Sequence, residues 1–196
     1  MLDGTTAFVT GASQGIGREI ALTFAEENAN VALAARSDGI YETAEMIGED
    51  TQTLAIKTDV TDEDSVADSI QATVDEFGGL DCVVNNAGIS GPTAPVEDID
   101  LADWERTLRV NTTGAFLTVK HAASHLRESA RGRIINISSI GGKNPYPNRT
   151  PYATSKMGMI GLSRTLAFEF GDDDVPVNTI CPGPVAGERI QTVLQK

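Results

Sequence analysis

"TGASQGIG", Thr10 to Gly17, is the stretch whose reading decides the fold. It stands between the apolar run "TTAFVT" (residues 5–10) and a helical pattern over 15–28. Glycine at position 11 can take backbone angles closed to other residues. Gly15 and Gly17 leave the start of the helix bare, so its free N–H groups and positive dipole end can meet a pyrophosphate. The spacing, G-x-x-x-G-x-G, differs from the G-x-G-x-x-G of the common dinucleotide fingerprint. Taken alone, such a turn also suits a helix that merely packs closely on a strand.

Outward from this turn, strand-like runs alternate with helical ones. Further strands are predicted at "NVALAA" (30–35), "TLAIK" (53–57), "LDCVVN" (80–85), "RIINIS" (133–138) and "VPVNTIC" (175–181). Helices are predicted over 15–28, 40–49, 62–77, 101–127 (one helix or two) and 151–171. Most of the strand runs are continuously apolar, as in sheets covered on both faces. Strand, helix, strand in repetition means a parallel sheet with right-handed crossovers. The expected fold is therefore α/β: one doubly wound Rossmann-type domain over residues 1–196, with strand order 3-2-1-4-5-6.

Composition narrows the function. Acidic residues outnumber basic ones 28 to 15, a formal net charge of −13. Nucleic-acid binding needs a basic surface that displaces counterions, and anionic membranes repel an acidic one. No apolar run reaches membrane-spanning length, and the N-terminus lacks the basic start of a signal peptide. The acidity suits either a high-salt setting, which is favoured, or an ordinary acidic cytosolic protein. Cys82 and Cys181 fall in predicted strands and are read as buried free thiols in a reducing compartment, which implies a cytoplasmic location.

In a doubly wound sheet, ligands bind beyond the carboxyl ends of the strands. Those ends carry the glycine turn, Arg36, Asp59, "NAG" from Asn86, Ser139 and "PGP" from Pro182. The residue after the second strand discriminates cofactors: an acid there reads a ribose 2′-hydroxyl. This chain has Arg36, whose guanidinium can pair with a 2′-phosphate and stack on adenine. NADP is therefore favoured over NAD, with Asp38 close by as the opposing feature.

Together the pieces "TGASQGIG", "NNAG" (85–88), Asn111 in "RVNTTG", "INISSIGG" (135–142), "YATSK" (152–156) and "CPGPV" (181–185) make the chain resemble the short-chain dehydrogenases/reductases. The resemblance covers nearly the whole chain in the family's order. It implies NAD(P)-dependent interconversion of a small-molecule carbonyl and alcohol by a homo-oligomer, often a tetramer. It implies Ser139, Tyr152 and Lys156 as a catalytic triad, with Asn111 completing a tetrad. Ser139 is preferred to Ser138 for its spacing to the tyrosine. The implied cofactor contacts run through Gly11, Ser13, Gln14, Gly15, Ile16 and Gly17 in the turn. They continue with Arg36, with Asp59 near the adenine and the adjoining Val60, and with Asn86 near the adenosine ribose, followed by Ala87 and Gly88. Tyr152, Lys156, Pro182, Gly183 and Val185 complete the set. No metal is implied.

The chemistry of these side chains stands beside the resemblance. Hydride transfer to a carbonyl puts negative charge on its oxygen, where a proton must be supplied. A phenol titrates near pH 10, and an ammonium a few ångströms away lowers that value. Tyr152 and Lys156 are one helical turn apart and face the same way. Thr150 is expected as the N-cap of their helix, with Pro151 at its first position. Other residues are weaker candidates. His121 and His125 stand i, i+4 without a third ligand, and Trp104 reads as packing.

The chain departs from the family pattern in two places. Many members carry a threonine where this chain has Gly187, with Arg189 nearby as a doubtful substitute. The sequence stops at Lys196, short of the usual substrate loop, helix and seventh strand, so that strand is expected to be missing. This keeps open a rival reading, a nucleotide-binding protein or truncated fragment without turnover. Assembly is expected through the helices at 112–127 and 153–171, as a dimer without the full tetramer.

Overall fold

A computed structural model of the chain describes residues 2–48 and 51–185. Its sheet has the expected order, β3-β2-β1-β4-β5-β6. The strands are β1 (Thr6–Thr10), β2 (Asn30–Ala35), β3 (Thr53–Lys57), β4 (Cys82–Asn85), β5 (Arg133–Ile137) and β6 (Val177–Ile180). Every pairing is parallel, with Ala7 opposite Val31 on one side and Cys82 on the other. Parallel neighbours need crossover connections, and helices supply them. These are α1 (Gly15–Glu26), α2 (Gly39–Ile47), α3 (Glu63–Phe77), α4 (Leu101–Leu108), α5 (Gly114–Glu128), a short α6 (Ile140–Lys143) and α7 (Thr150–Glu169).

Strand alternation sends neighbouring residues to opposite faces. Phe8 and Val83 enter a core of large side chains under α3, α5 and α7, with Ile70, Leu117, Leu126, Ile134 and Phe170. Ala7, Val9, Cys82 and Val84 enter a second core under α1 and α2, rich in alanine: Ala12, Ala21, Ala25 and Ala29. Small side chains there let α1 lie close to β1. β1 and β4 are buried throughout, whereas the outer strand β6 alternates half-buried and exposed residues.

Local signals account for some helix ends. The Asp62 carboxylate caps α3 by accepting from the backbone N–H groups of Asp64 and Ser65, and Gly78 ends that helix at φ 79°. The predicted 101–127 helix is two helices joined by a π-helical turn, Arg109–Thr113. At its end Gly114 approaches the loop after β3 so closely that a Cβ would come 2.9 Å from the Val60 side chain. The expected cap of α7 shifts by one residue. Arg149 is the N-cap, Thr150 is already helical, and Pro151 sits in the first turn. Proline is tolerated there because first-turn N–H groups lack intrahelical partners. Cys181 lies just past β6 and is half-buried, not a buried strand residue, while Cys82 is buried; both are free thiols. Among the described residues no helix is long and apolar enough to cross a membrane.

Candidate active site

The glycine turn is held by backbone geometry. Gly11 has φ +68° and its N–H donates to the Ala34 carbonyl at 2.7 Å. A Cβ on Gly17 would stand 2.3 Å from both Asn86 Nδ2 and the Gly11 carbonyl oxygen. Asn86 ties the turn to β4, its Nδ2 donating to the carbonyls of Thr10 at 3.0 Å and Gly11 at 3.2 Å. Thr10 Oγ1 in turn accepts from the N–H groups of Asn86 and Ala87, both at 3.0 Å. Gly15 differs. Its φ is +56°, yet a Cβ there would meet nothing within 4 Å. Gln14, the N-cap of α1, makes no side-chain cap. The exposed start of α1 thus combines uncapped N–H groups with open space, which fits a dinucleotide pyrophosphate. Ser13 is buried, with its carbonyl held by Arg18, and Ile16 is half-buried.

At the far side of the cleft, Arg36 follows β2 and remains 58% exposed, 3.8 Å from the Asp59 carboxylate. Partial burial works against ionisation of Asp59. Hydrogen bonds from the Thr61 backbone and hydroxyl, with Arg36 and Arg109 nearby, outweigh it and hold the carboxyl below its ordinary value. Asp38, the acid that opposes an NADP reading, is engaged by Lys57, whose Nζ also donates to the Arg36 carbonyl at 2.9 Å. Val60 is buried beneath this end of the cleft.

The other half of the cleft is made of side chains. Ser138 is buried and donates to the Lys156 carbonyl at 2.7 Å. Ser139 is half-buried and caps α6, its Oγ accepting from the Gly141 N–H at 3.1 Å. Gly142 lets α6 lie directly on α7, since a Cβ there would come 2.7 Å from the Lys156 backbone. Lys156 is 4% exposed, its Nζ 2.8 Å from the Ile137 carbonyl oxygen and 6.0 Å from the centre of the Tyr152 ring. Gly88 lies against both Asn111 and Lys156. A Cβ on it would be 3.1 Å from Asn111 Oδ1 and 3.5 Å from Lys156 Nζ.

Asn111 sits in the π turn, fully buried. Its Oδ1 accepts from the Ile89 N–H at 2.7 Å, and its Nδ2 donates to the Ile89 carbonyl and to Ser155 Oγ, both at 2.9 Å. Ser155 Oγ then donates to the Tyr152 carbonyl at 2.7 Å. The carboxamide therefore braces the loop after β4 against α7. Ser155 and Thr10 are site supports that the sequence reading missed. Each stands beside a recognised motif residue, and that adjacency was the available signal. Pro182 and Gly183 pass over α6, with Ile140 N–H donating to the Pro182 carbonyl at 3.0 Å, and Val185 is exposed. Gly187 and Arg189 lie outside the described residues. His121 is paired with Glu63 at 3.2 Å, and no cluster suited to a metal ion occurs among the described residues.

Comparison with known proteins agrees with this geometry. The short chain dehydrogenase family profile matches residues 5–196. Glucose 1-dehydrogenase 2 of Bacillus subtilis (strain 168) is 38% identical over 191 residues, spanning 95% of this chain and 74% of its own. A crystal structure of NAD+-bound xylitol dehydrogenase superposes with a TM-score of 0.95 at 32% identity, covering 98% of this chain and 75% of that one. Levodione reductase gives a TM-score of 0.96 at 30% identity, covering 100% of this chain and 77% of that one. The chain belongs to the short-chain dehydrogenase/reductase family. It is an oxidoreductase of the NAD(P)-dependent class that interconverts alcohols and ketones.

Proposed function

We propose that the chain is an NADP(H)-preferring enzyme that interconverts a ketone and a secondary alcohol, with Tyr152 as its general acid and base. Residues 1–196 act in this reading as one dinucleotide-binding and catalytic domain. The observation that carries it is buried Lys156, with its Nζ 6.0 Å from the centre of the Tyr152 ring on α7, packed under the short α6 whose N-cap is Ser139. The nicotinamide supplies hydride in the reducing direction and receives it in the oxidising one. Ser139 orients the substrate oxygen. Tyr152 donates its phenolic proton to that oxygen as the carbonyl is reduced and takes it back as the alcohol is oxidised. Lys156 lies beside the ring and would orient the cofactor ribose, while Asn111 fixes the backbone behind them.

The NADP preference rests on Arg36, which is mostly exposed at the end of β2, and on the engagement of Asp38 by Lys57. NAD is the second reading, because the similar xylitol dehydrogenase was solved with NAD+ and Asp59 competes for Arg36. We further propose a cytoplasmic location and a homodimer built on α5 and α7. Their outer faces expose Phe116, Met157 and Phe168, the last 91% exposed. Relatives named for glucose, xylitol and levodione suggest a panel of sugars, polyols and cyclic ketones. The test is oxidation or reduction of that panel with NADP(H) and with NAD(H). Turnover favouring NADP(H) supports the proposal, and tight cofactor binding with no turnover of any substrate would favour a nucleotide-binding protein.

A further inference from the structure

The loop leading into α7 carries a charge that the reaction scheme leaves unused. Arg149 is only 3% exposed, and it is the N-cap residue of a 20-residue helix. Helix N-termini disfavour cations, and a buried guanidinium normally has a carboxylate partner. None pairs with Arg149 among the described residues. Its Nη2 donates to the Ser90 carbonyl at 2.7 Å, and its Nε has no hydrogen-bond partner. Two aromatic rings lie near it. The guanidinium carbon lies 5.1 Å from the centre of the Tyr152 ring and 5.3 Å from that of Tyr146. The two rings meet edge to face, 6.3 Å apart at 76°. Tyr146 in turn lies on Gly141, where a Cβ would come 2.6 Å from the ring and 3.5 Å from Ser139 Oγ. One buried cation thus joins the loop after β4, the loop before α7, and the Tyr152 ring.

We propose that Arg149 is a positioning residue that fixes the Tyr152 ring against Tyr146 and the Ser90 loop, and so sets the phenol relative to Ser139. The proposal rests on the reading of Tyr152 as general acid. Ring faces attract a cation, and the guanidinium's planar fork lets it hold a carbonyl while it meets two rings. A swing of the Tyr152 ring would break that arrangement and leave the charge buried among fewer partners. Reacting groups displaced by about 1 Å can lose roughly 100-fold in rate. Lysine keeps the charge but offers no planar fork.

The test compares Arg149→Met, Arg149→Lys and Tyr152→Phe for kcat, for NADPH affinity by cofactor fluorescence, and for thermal midpoint. Arg149→Met is expected to lower kcat by roughly 10–100-fold while NADPH affinity stays within about two-fold. Arg149→Lys should not restore the rate, and millimolar guanidinium should recover part of it in Arg149→Ala. A folded Arg149→Met enzyme with normal kcat and a lowered melting point would overturn the proposal, reducing Arg149 to a structural residue. If the methionine variant does not fold, normal kcat in Arg149→Lys overturns it equally. An inactive Tyr152→Phe beside a fully active Arg149→Met removes the positioning role alone. An active Tyr152→Phe removes the acid assignment, and this proposal with it.

Discussion

The two halves of the cleft are built from different materials. On the β1–β3 side, the candidate phosphate site is made mainly by backbone: Gly11 in a left-handed conformation, Gly17 close to Asn86, and the bare start of α1, with the Arg36 side chain at its edge. On the β4–β6 side it is made by side chains, braced by buried polar contacts such as Asn85 to Asn136 at 2.9 Å and Asn136 to Ser163 at 2.8 Å. An added Cβ is crowded at Gly11 and Gly17 in the first half and at Gly142 in the second, whereas Gly15 has open space around it. A cofactor common to many reactions can be held by main chain, but a reacting oxygen needs groups that move a proton.

The largest expected effect falls on the side-chain half. If Tyr152 is the general acid proposed here, Tyr152→Phe removes its acting hydroxyl and should cut turnover by about 10²–10⁴-fold, leaving cofactor affinity within a few-fold. Lys156→Ala should damage both, since the proposal gives that residue a role toward acid and cofactor alike; steady-state kinetics with a parallel fluorescence titration separate the two.

Gly17→Ala tests the backbone half. Its methyl would stand 2.3 Å from Asn86 Nδ2 and the Gly11 carbonyl. Overpacking of this kind costs about 1–3 kcal/mol, so denaturant midpoints should fall and both cofactors should bind less tightly. Full stability in that variant would mean the turn relaxes easily and is not the close-packed unit described. Arg36→Ala is narrower. It should weaken NADPH binding by about 1.5–3 kcal/mol and leave NADH nearly unchanged; equal losses would show that Arg36 does not read the 2′-phosphate.

Two smaller effects lie away from the cleft. Burial pushes the Cys82 thiol up to about 12, so the folded protein keeps a proton that the unfolded chain loses earlier. Stability from this group is complete below the ordinary thiol value and declines as pH rises towards 12, by at most about 1.4 kcal/mol per pH unit. Cys82→Ala should flatten that alkaline decline in denaturation curves, and an unchanged slope would assign it to other groups. On α7, Phe168→Asp should weaken the proposed self-association, which sedimentation would measure. Association of the unaltered chain should strengthen with salt, because ions screen repulsion between acidic protomers.

What was legible in the sequence follows the same division. Gly11 and the strand order could be read because glycine spacing and apolar runs report backbone demands directly. Tyr152 and Lys156 are singled out by the family resemblance, and helical spacing adds only that they face the same way. The brace beneath them was not readable, since Asn111, Ile89 and Ser155 meet only through tertiary packing. Thr150 looked like a cap because its residue type suits one, yet the chain enters α7 one residue earlier, at Arg149. A cation at that N-terminus was a visible anomaly. Its two ring neighbours, Tyr146 and Tyr152, flank it in sequence, but Ser90, whose carbonyl it holds, lies elsewhere in the chain and gave no local pattern. Cys181 was placed in a buried strand because the apolar run continues past Ile180, where β6 ends.

The division of labour between the halves is tested most directly by measuring NADPH affinity and single-turnover hydride transfer together in Tyr152→Phe and Gly17→Ala. Tyr152→Phe is expected to bind NADPH almost normally and to transfer hydride at least about 100-fold more slowly. Gly17→Ala is expected to bind weakly but, once saturated with NADPH, to transfer hydride at close to the normal rate. The reverse pattern, with Tyr152→Phe losing affinity and Gly17→Ala losing only rate, would contradict that division of labour.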